Sequence, residues 1–411
     1  MAERHKLADI NFLSHDSLQL HARLPTHQRH KGKSRAKDLG WCWVHGLKVS
    51  THLNPTFERC DDNYYCCGGS TGLQVANVGH GLMMMTWKEK VVPDEECFES
   101  IKAGLDLVSP GEKIILNTGE FYGLNPPEAN LALLNRFFTK YPEYRERAFI
   151  SVKGGFNMKA RQSDGSPSPF EKGEIPSTVH GNPPCLRPLG ISVENINKWL
   201  GFKPDLFECA RQDKNHPVEE TISTLKGLVE EGFFDYIGLS EVSEATLRRA
   251  AKIHPIAAVE IEISPWTYEL ETRNVIQAAK ELDVLVVGYS PLGHGFLASN
   301  YQPGTTFSDI RAHSPRLAPG ALEANIKVRD ALTKISTKLG ITNAQLCLAW
   351  VVSLGPHVVP IPGSHTKSRT LENFSASNVK LSESDLKEIN ETIEAFEIVG
   401  NRYPAGVPVW T

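Results

Sequence analysis

Beyond residue 72 the chain alternates short apolar runs with longer amphipathic stretches. The apolar runs are rich in β-branched residues, which is typical of strands. The amphipathic stretches repeat apolar positions roughly every three to four residues, which is typical of helices that bury one face. The eight predicted strands are Val78–Met83, Lys113–Thr118, Ala148–Lys153, Asp205–Arg211, Tyr236–Ser240, Ala257–Ser264, Val284–Tyr289 and Val358–Pro362.

Eight predicted helices alternate with these strands, which predicts parallel βαβ units in an α/β fold. The helices are Glu95–Leu107, Glu128–Lys140, Val193–Leu200, Val218–Glu231, Glu244–Ile253, Thr272–Leu282, Ala324–Leu339 and Glu383–Phe396. Continuously apolar strands also predict a sheet that is buried on both faces. A (β/α)8 TIM barrel over residues 73–411 fits this pattern, and a doubly wound sheet is the structural alternative.

Three segments interrupt the pattern. Residues 1–72 have no sustained apolar period, so we predict a poorly ordered N-terminal extension. The stretches Asn157–Arg187 and Gly293–Gly320 are rich in Gly, Pro and Ser and follow the third and seventh predicted strands. Both long loops are expected at the C-terminal ends of barrel strands, where the active sites of such barrels lie.

Composition excludes several classes of partner. The 411 residues carry 44 basic and 48 acidic side chains, which gives no support for a nucleic-acid or anionic-membrane partner. No apolar run approaches the roughly 20 residues of a membrane-spanning helix, and the N-terminus lacks a secretory apolar core. Eight cysteines in so long a chain do not suggest a disulfide framework. We expect a cytoplasmic protein, with the nucleus and the oligomeric state left open.

Several common site motifs are missing from the sequence. There is no GxxxxGK[ST] phosphate loop, and the glycine pattern that begins at Gly79 fails because Met84 occupies the third glycine position. No HExxH or paired CxxC motif occurs, and the adjacent Cys66 and Cys67 are poorly placed to bind one zinc ion. We therefore expect no metal site and no Rossmann nucleotide site.

Polar residues stand at the C-terminal ends of two of the predicted strands. Asn117 ends the second strand, Tyr122 follows it, and Lys153 ends the third. A lysine beside a tyrosine favours the tyrosinate and lowers the tyrosine pKa, which would make Tyr122 a usable proton donor. The alternative is a lysine at the rim of the barrel that pairs with a carboxylate of a loop.

The last predicted strand leads into a cluster of polar and charged residues. Ser364, Lys367 and Arg369 precede Glu372 and Asn373 at the start of a predicted helix. Two cations, a hydroxyl and free helix N–H groups together favour an anion site. The alternative is an N-capped helix with surface charge.

Taken in order, these segments resemble the aldo-keto reductases from about residue 73 to about residue 401. The motifs are NTGEFYG at 117–123, SVKGG at 151–155, GLSE at 238–241, YSPLG at 289–293, and PGS at 362–364 followed by Glu372 and Asn373. The resemblance implies a (β/α)8 barrel that binds NADPH without a Rossmann domain. It also implies hydride transfer to a small-molecule aldehyde, with Tyr122 as the proton donor, Lys153 beside it and Asn117 positioning Lys153.

Within that family the sequence is similar to the fungal pyridoxal reductases. GLMMMTW at 81–87, DLFECAR at 205–211 and the strand with Glu260 and Glu262 carry this likeness. Asn117 stands where the family usually has Asp, and Ala210 where it usually has His. Asn117 adds no charge, so Lys153 is expected to be less stabilised as a cation, and Ala210 leaves room for a bulky aromatic aldehyde.

The resemblance also implies where the cofactor and substrate bind. Ser240, Glu241 and Glu260 would hold the nicotinamide carboxamide, Trp266 would stack on its ring, and core packing is the alternative for Trp266. The residues implied in the remaining cofactor contacts are Thr86, Ser290, Leu292, Gly293, Gly295, Gly363, Ser364, Lys367, Arg369, Glu372 and Asn373. Ser290, Leu292 and Gly293 would line the pyrophosphate, with Gly295 close by. Ser364, Lys367 and Arg369 would contact the 2′-phosphate, and Glu372 and Asn373 the adenine.

The implied activity is the NADPH-dependent reduction of pyridoxal to pyridoxine. Trp87, Tyr122 and Ala210 would then line the substrate pocket, with core packing as the alternative for Trp87. Two other functions stay open at this point. One is a broad-specificity aldehyde reductase, and the other is a regulatory barrel that senses the cofactor without catalysis.

Overall fold

A computed structural model describes residues 74–108, 111–155, 187–213, 216–405, 407 and 409–411, and four short strands before them. The chain divides into two units, Met1–Leu53 and Asn54–Thr411. In the first unit, Trp41–Val44 and Leu47–Ser50 form an antiparallel hairpin. In the second, an antiparallel sheet is formed by Arg59–Asp61, Tyr64–Cys66 and Gln74–Ala76. The other residues of the predicted extension 1–72 lie outside the described ones, so its poor order stays a prediction.

Eight parallel strands of the second unit form the main sheet. They are β1 (His80–Gly81), β2 (Ile114–Gly119), β3 (Ala148–Gly154), β4 (Leu206–Cys209), β5 (Tyr236–Ser240), β6 (Ala258–Glu262), β7 (Leu285–Tyr289) and β8 (Val358–Pro360). Each strand pairs with the next in chain order. Sequential parallel pairing throughout is the topology of a (β/α)8 barrel.

Hydrogen bonds between the first and last strands close the sheet. The amide of Gly79 donates to the Pro360 carbonyl at 2.9 Å, and the amide of Gly81 donates to the Pro362 carbonyl at 3.1 Å. A side chain at Gly81 would lie only 2.9 Å from the Ile361 carbonyl oxygen, so glycine permits this close approach. The predicted barrel is confirmed, and the doubly wound alternative is wrong because such a sheet leaves its edge strands unpaired.

Helices surround the barrel. In the described part of the chain they are α1 (Met83–Thr86), α2 (Asp94–Leu105), α3 (Ala129–Lys140), α4 (Arg187–Leu200), α5 (Val218–Glu230), α6 (Glu244–Ala251), α7 (Leu270–Leu282), α8 (Ala321–Leu339), α9 (Asn343–Ser353), α10 (Lys367–Ser375) and α11 (Glu383–Glu394). Seven of the eight predicted helices agree with these within a few residues at their ends, whereas α4 begins six residues before the predicted Val193. The short helix α1 was not predicted, and neither was α9, which is largely buried and apolar and so lacks an amphipathic period. None of the described helices is both long and apolar enough to cross a membrane.

The interior of the barrel is layered. Side chains alternate between the two faces of a strand, so every second residue points inward. Ile115, Phe149, Leu206 and Leu285 form a buried apolar cluster inside the sheet. Further along the same strands, at their C-terminal ends, the inward positions become polar and converge on one another.

The predicted loop after the seventh strand is confirmed. It runs from Ser290 to Gly320 and contains two short 3-10 turns, Ile310–His313 and Pro315–Leu317. The predicted loop after the third strand, Asn157–Arg187, lies outside the described residues except for Arg187, where α4 begins.

Candidate active site

Tyr122 is held in place by its own loop after β2. Its amide donates to the Gly119 carbonyl at 3.2 Å, and the Thr86 hydroxyl donates to its carbonyl. Asn130 on α3 in turn donates to the Thr86 hydroxyl at 2.7 Å. Thr86, predicted at the cofactor, thus supports the backbone of the tyrosine.

An apolar pocket surrounds the Tyr122 ring. Phe121, Tyr122 and Ala210 form one buried cluster, with Met83 and Trp87 packed against it. The rings of Trp87 and Tyr122 lie 5.8 Å apart between centroids. Ala210 is the small member of this cluster, so space is left beside the tyrosine.

Lys153 lies next to Tyr122 and contacts three polar side chains. Its Nζ lies 5.9 Å from the centre of the Tyr122 ring. It donates to Asn117 Oδ1 at 3.3 Å, forms a short ion pair with Glu260 and lies 3.3 Å from Glu208 Oε1. Asn117 also donates to Glu260 Oε2 at 2.7 Å. The structure therefore brings the three predicted catalytic residues together.

The positive charge of Lys153 is stabilised by residues on strands where no such residue was predicted. Burial lowers the pKa of the Lys153 ammonium, but Glu260, Tyr122 and Glu208 outweigh it and raise that pKa. The expectation of a less stabilised cation is wrong, because Glu260 on β6 forms an ion pair with Lys153 and Glu208 on β4 also lies beside it. Glu208 was missed, although period-two alternation places it inward two residues before Ala210.

Tyr122 has a raised pKa in this setting. Burial is the largest cause, and it outweighs Lys153, whose charge and hydrogen bond lower the pKa. The predicted lowering by Lys153 is present, but the net shift is upward. The phenol therefore stays protonated near neutral pH, which suits a proton donor.

Tyr122 and Lys153 open into a cavity of about 750 Å³. This volume lies within the range of small-molecule and cofactor sites. The cavity is lined by an apolar group of residues, Met83, Met84, Trp87, Phe121, Tyr122 and Ala210. It is also lined by the basic side chains of Lys88, Arg311 and Arg369, of which Arg311 pairs with Asp309. One cavity thus joins an apolar pocket to positive charge.

The three residues predicted at the carboxamide are all buried at the ends of β5 and β6. The Ser240 hydroxyl has no hydrogen-bond partner, and only 1% of the residue is exposed. Glu260 already contacts Lys153 and Asn117, as described above. Ser240 is therefore the predicted carboxamide partner with unused hydrogen-bonding capacity.

Glu241 belongs to a buried network that sequence reasoning missed. Arg402 from the C-terminal segment donates to its Oε2 at 2.6 Å, and the Tyr289 hydroxyl donates to its Oε1 at 2.9 Å. The amide of Glu262 also donates to Oε1, at 3.1 Å. Burial raises the pKa of Glu241, but Arg402 outweighs it, and the pKa is lowered. No local motif marks Arg402, because it reaches this site from the far end of the chain.

Trp266 does not line the cavity. It is 2% exposed and stacks on Phe296 at 4.4 Å, with the Arg316 guanidinium 5.6 Å from its ring. This placement favours the core alternative. Tyr289, at the end of β7, is an aromatic residue that does line the cavity.

The loop after β7 forms another wall of the cavity. Ser290, Leu292 and Gly295 line it, and Gly293 stands just behind them. Gly293 has φ +54°, and a Cβ there would lie 2.5 Å from the Trp266 ring. Glycine at this position lets the loop pack directly on Trp266.

The loop after β8 completes the cavity. Gly363, Ser364 and Arg369 line it, whereas Lys367 is exposed and does not. His80 Nε2 contacts the Ser364 carbonyl at 2.9 Å, and burial lowers the pKa of His80 to about 4, so the ring is neutral. Neutral His80 anchors the loop without adding charge.

The residues predicted at the adenine, Glu372 and Asn373, lie on α10. Glu372 is half-buried and Asn373 is buried, and neither lines the described cavity. Their assignment to the adenine stays a prediction.

The cavity fits a nicotinamide dinucleotide phosphate. Gly81 and Gly363 leave backbone exposed to the cavity, whereas Ser240, whose buried hydroxyl has no partner, does not itself line it. Arg369 and its neighbouring cations match phosphate charge, because a guanidinium binds phosphate through two N–H groups.

Most of the chain is similar to known proteins. Residues 77–394 match the aldo/keto reductase family. The chain is 34% identical to a Schizosaccharomyces pombe protein named "Probable pyridoxal reductase 2", over 81% of this chain and 96% of the relative. It is 36% identical to "Probable aldo-keto reductase 1" of Glycine max, over 82% of this chain and 91% of the relative.

The fold of this chain is also similar to that of a solved structure. A glycerol dehydrogenase from Gluconobacter oxydans superposes with a TM-score of 0.65, covering 85% of this chain and 99% of the other. The two chains are 19% identical, so the likeness concerns the fold alone.

Proposed function

Because the chain belongs to the aldo/keto reductase family, we propose that it is an NADPH-dependent reductase that transfers hydride to aromatic aldehydes, with pyridoxal as substrate. The observation that carries the proposal is the buried pair of Tyr122 and Lys153 beside an apolar pocket. A protonated phenol held by a cation can protonate an alkoxide as it forms. The same cavity continues to Arg369, where a phosphate can bind.

The residues have separate tasks in this proposal. A bound reduced nicotinamide supplies the hydride. Ser240 orients the cofactor through its unused hydroxyl, and Tyr122 delivers the proton to the substrate oxygen. Lys153 carries the positive charge that stabilises the phenolate as it forms, while Asn117 holds Lys153 in position.

Two observations support pyridoxal as the substrate. Ala210, Met83 and Trp87 leave an apolar space beside Tyr122 that suits a flat aromatic ring. A relative that is 34% identical carries the name of a pyridoxal reductase. The name belongs to that relative, and it supports the choice of test substrate here.

The decisive assay is NADPH oxidation by the purified protein with pyridoxal as the varied substrate. We expect kcat/KM for pyridoxal to exceed that for 4-nitrobenzaldehyde at least tenfold, because specificity is a ratio of these values. Equal values favour a broad aldehyde reductase. Bound NADPH that is not oxidised by any aldehyde in a single turnover favours a cofactor sensor and contradicts the proposal.

Arg369→Ala tests the cofactor choice. Loss of a charge-assisted contact worth about 1.5–3 kcal/mol is expected to raise KM for NADPH roughly 10- to 100-fold. NADH has no 2′-phosphate, so its KM is expected to change less than about twofold. Steady-state kinetics with both cofactors measure the effect, and an equal rise for both rejects a contact between Arg369 and the 2′-phosphate.

Ala210→Leu tests the substrate pocket. The larger side chain fills space beside Tyr122, so kcat/KM for pyridoxal is expected to fall about tenfold or more, while that for propanal changes little. Both aldehydes are measured with the same preparation. A parallel loss for the two substrates would mean that the space beside Tyr122 is not where the ring binds.

A further inference from the structure

Glu208 and Glu260 lie on either side of one buried cation at the end of the barrel. Nζ of Lys153 is 3.3 Å from Glu208 Oε1 and forms a short ion pair with Glu260 Oε2. We propose that Glu208 stores a proton beside Lys153 and returns it through that lysine to Tyr122 after each reduction. This inference rests on the proposed reductase activity and assigns Glu208 a role that the mechanism above does not use.

In the resting protein the charges of the cluster favour one neutral carboxyl group, because two carboxylates would share a single ammonium. Among the described residues, Lys153 is the one cation in ion-pair contact with Glu208 or Glu260. The exposed fractions of the two glutamates are 1% and 2%. Two like charges that share one site cannot both ionise without a large penalty. One proton is therefore held between the two carboxyl groups and the lysine.

The hydrogen bonds indicate which carboxyl group holds the proton. Glu260 Oε2 accepts from Asn117 at 2.7 Å and pairs with Lys153, so two donors already contact this oxygen. Glu208 Oε1 has only the longer contact with Lys153 at 3.3 Å and no further donor, so a proton is more readily held there than on Glu260. Burial is the largest cause that raises the pKa of Glu208 well above its usual value, and Glu260 adds to it.

The neighbouring strand leaves room for this arrangement. Gly238 on β5 separates β4 from β6, and a Cβ there would lie 3.1 Å from Glu208 Cβ. The titratable groups that face Glu208 are Lys153 on β3, Glu260 on β6 and Tyr122 after β2, and the thiol of Cys209 is its neighbour on β4. Burial raises the pKa of Cys209 to about 12, so its thiol stays protonated and takes no part.

The proton transfer balances without any redox partner. After reduction, the Tyr122 phenolate takes a proton from the Lys153 ammonium. The Lys153 amine then takes the proton of the Glu208 carboxylic acid, so two protons move and no electrons are gained or lost. The negative charge passes from the phenolate to Glu208, which recovers a proton from solvent when the product leaves.

Infrared spectroscopy of the cofactor-free protein tests the stored proton without using activity. We expect a carbonyl band of a protonated carboxylic acid at pH 8, shifted in D2O. The band should be lost in Glu208→Gln, which has no acid there. It should also be lost in Glu260→Gln, because Glu208 can then ionise against Lys153. The same band in Glu208→Gln as in the wild type would overturn the proposal.

Kinetics test whether the proton is used. In Glu208→Gln we expect the single-turnover rate of NADPH oxidation to change less than twofold, while kcat at pH 8 falls about tenfold. The solvent isotope effect on kcat should rise, and Glu208→Asp should restore part of the turnover.

Glu262→Gln is the matched control, because Glu262 is equally buried on β6 and contacts Arg402 rather than Lys153. We expect wild-type kinetics from it. Equal losses of the single-turnover rate and kcat in Glu208→Gln, or no loss in either, would contradict the proposed use of the proton. An inactive wild type would instead reject the reductase activity and leave the infrared result to decide whether Glu208 holds a proton.

Discussion

Tyr122→Phe is expected to lower kcat for aldehyde reduction by about 10²–10⁴-fold, the usual contribution of a positioned proton donor. The phenol lies beside the Lys153 ammonium, and its position is held by Thr86 and Gly119 rather than by its own hydroxyl. Phenylalanine therefore keeps the shape of the pocket and removes only the proton. Because Ala210 offers no second donor, little residual proton transfer is expected.

The measurement pairs steady-state NADPH oxidation with a fluorescence titration of NADPH binding. The Kd for NADPH should change less than about threefold in Tyr122→Phe. Tyr268→Phe serves as a control, because this half-buried tyrosine packs on Trp350 and does not line the cavity. Full activity of Tyr122→Phe would contradict the proposed mechanism.

Arg402→Leu is expected to lower the free energy of unfolding by about 3–5 kcal/mol, because it leaves a buried carboxylate without its partner. Glu241 is 0% exposed, and Arg402 donates to its Oε2 at 2.6 Å. The double variant Arg402→Leu with Glu241→Leu should recover part of the loss, since the carboxylate that Arg402 contacts most closely is then removed as well. Urea unfolding of the cofactor-free protein measures each value.

The decrease in the free energy of unfolding that Arg402→Leu causes should also depend on pH. Arg402 holds the pKa of Glu241 below its usual value of 4.5, so the stability from this pair is present above that pH and is lost as pH falls through the lowered pKa. The difference in the free energy of unfolding between the wild type and Arg402→Leu should therefore become smaller as the solution becomes acidic. Arg248→Leu is the control: its pairs with Glu244 and Glu281 are exposed and worth about 0–1 kcal/mol. Similar losses for both variants would contradict the role of burial.

The fold was largely predictable because the barrel repeats one local pattern. Alternating strands and helices are encoded in apolar periodicity, and sequential parallel pairing follows from short βα connections. Helix α9 escaped this reasoning because a helix buried on all sides shows no amphipathic period.

The candidate site was predictable in part. Tyr122, Lys153 and Asn117 stand at strand ends in recognisable motifs, and the structure brings them together. Glu208 and Arg402 were missed, because their importance depends on partners from distant parts of the chain. Trp266 was predicted to stack on the nicotinamide, with core packing as the alternative. Its stacking on Phe296, which the sequence does not reveal, favours the core role.

The sequence by itself determined the barrel, the order of its strands and the residues that end them, since these depend on local periodicity and local motifs. The tertiary structure alone decided which charges meet inside the barrel. Glu208 and Glu260 face Lys153 because strands β3, β4 and β6 bring their C-terminal ends together, and Arg402 reaches Glu241 from 161 residues away. Burial then gives these contacts their strength, because removal from water makes each charge depend on its neighbours.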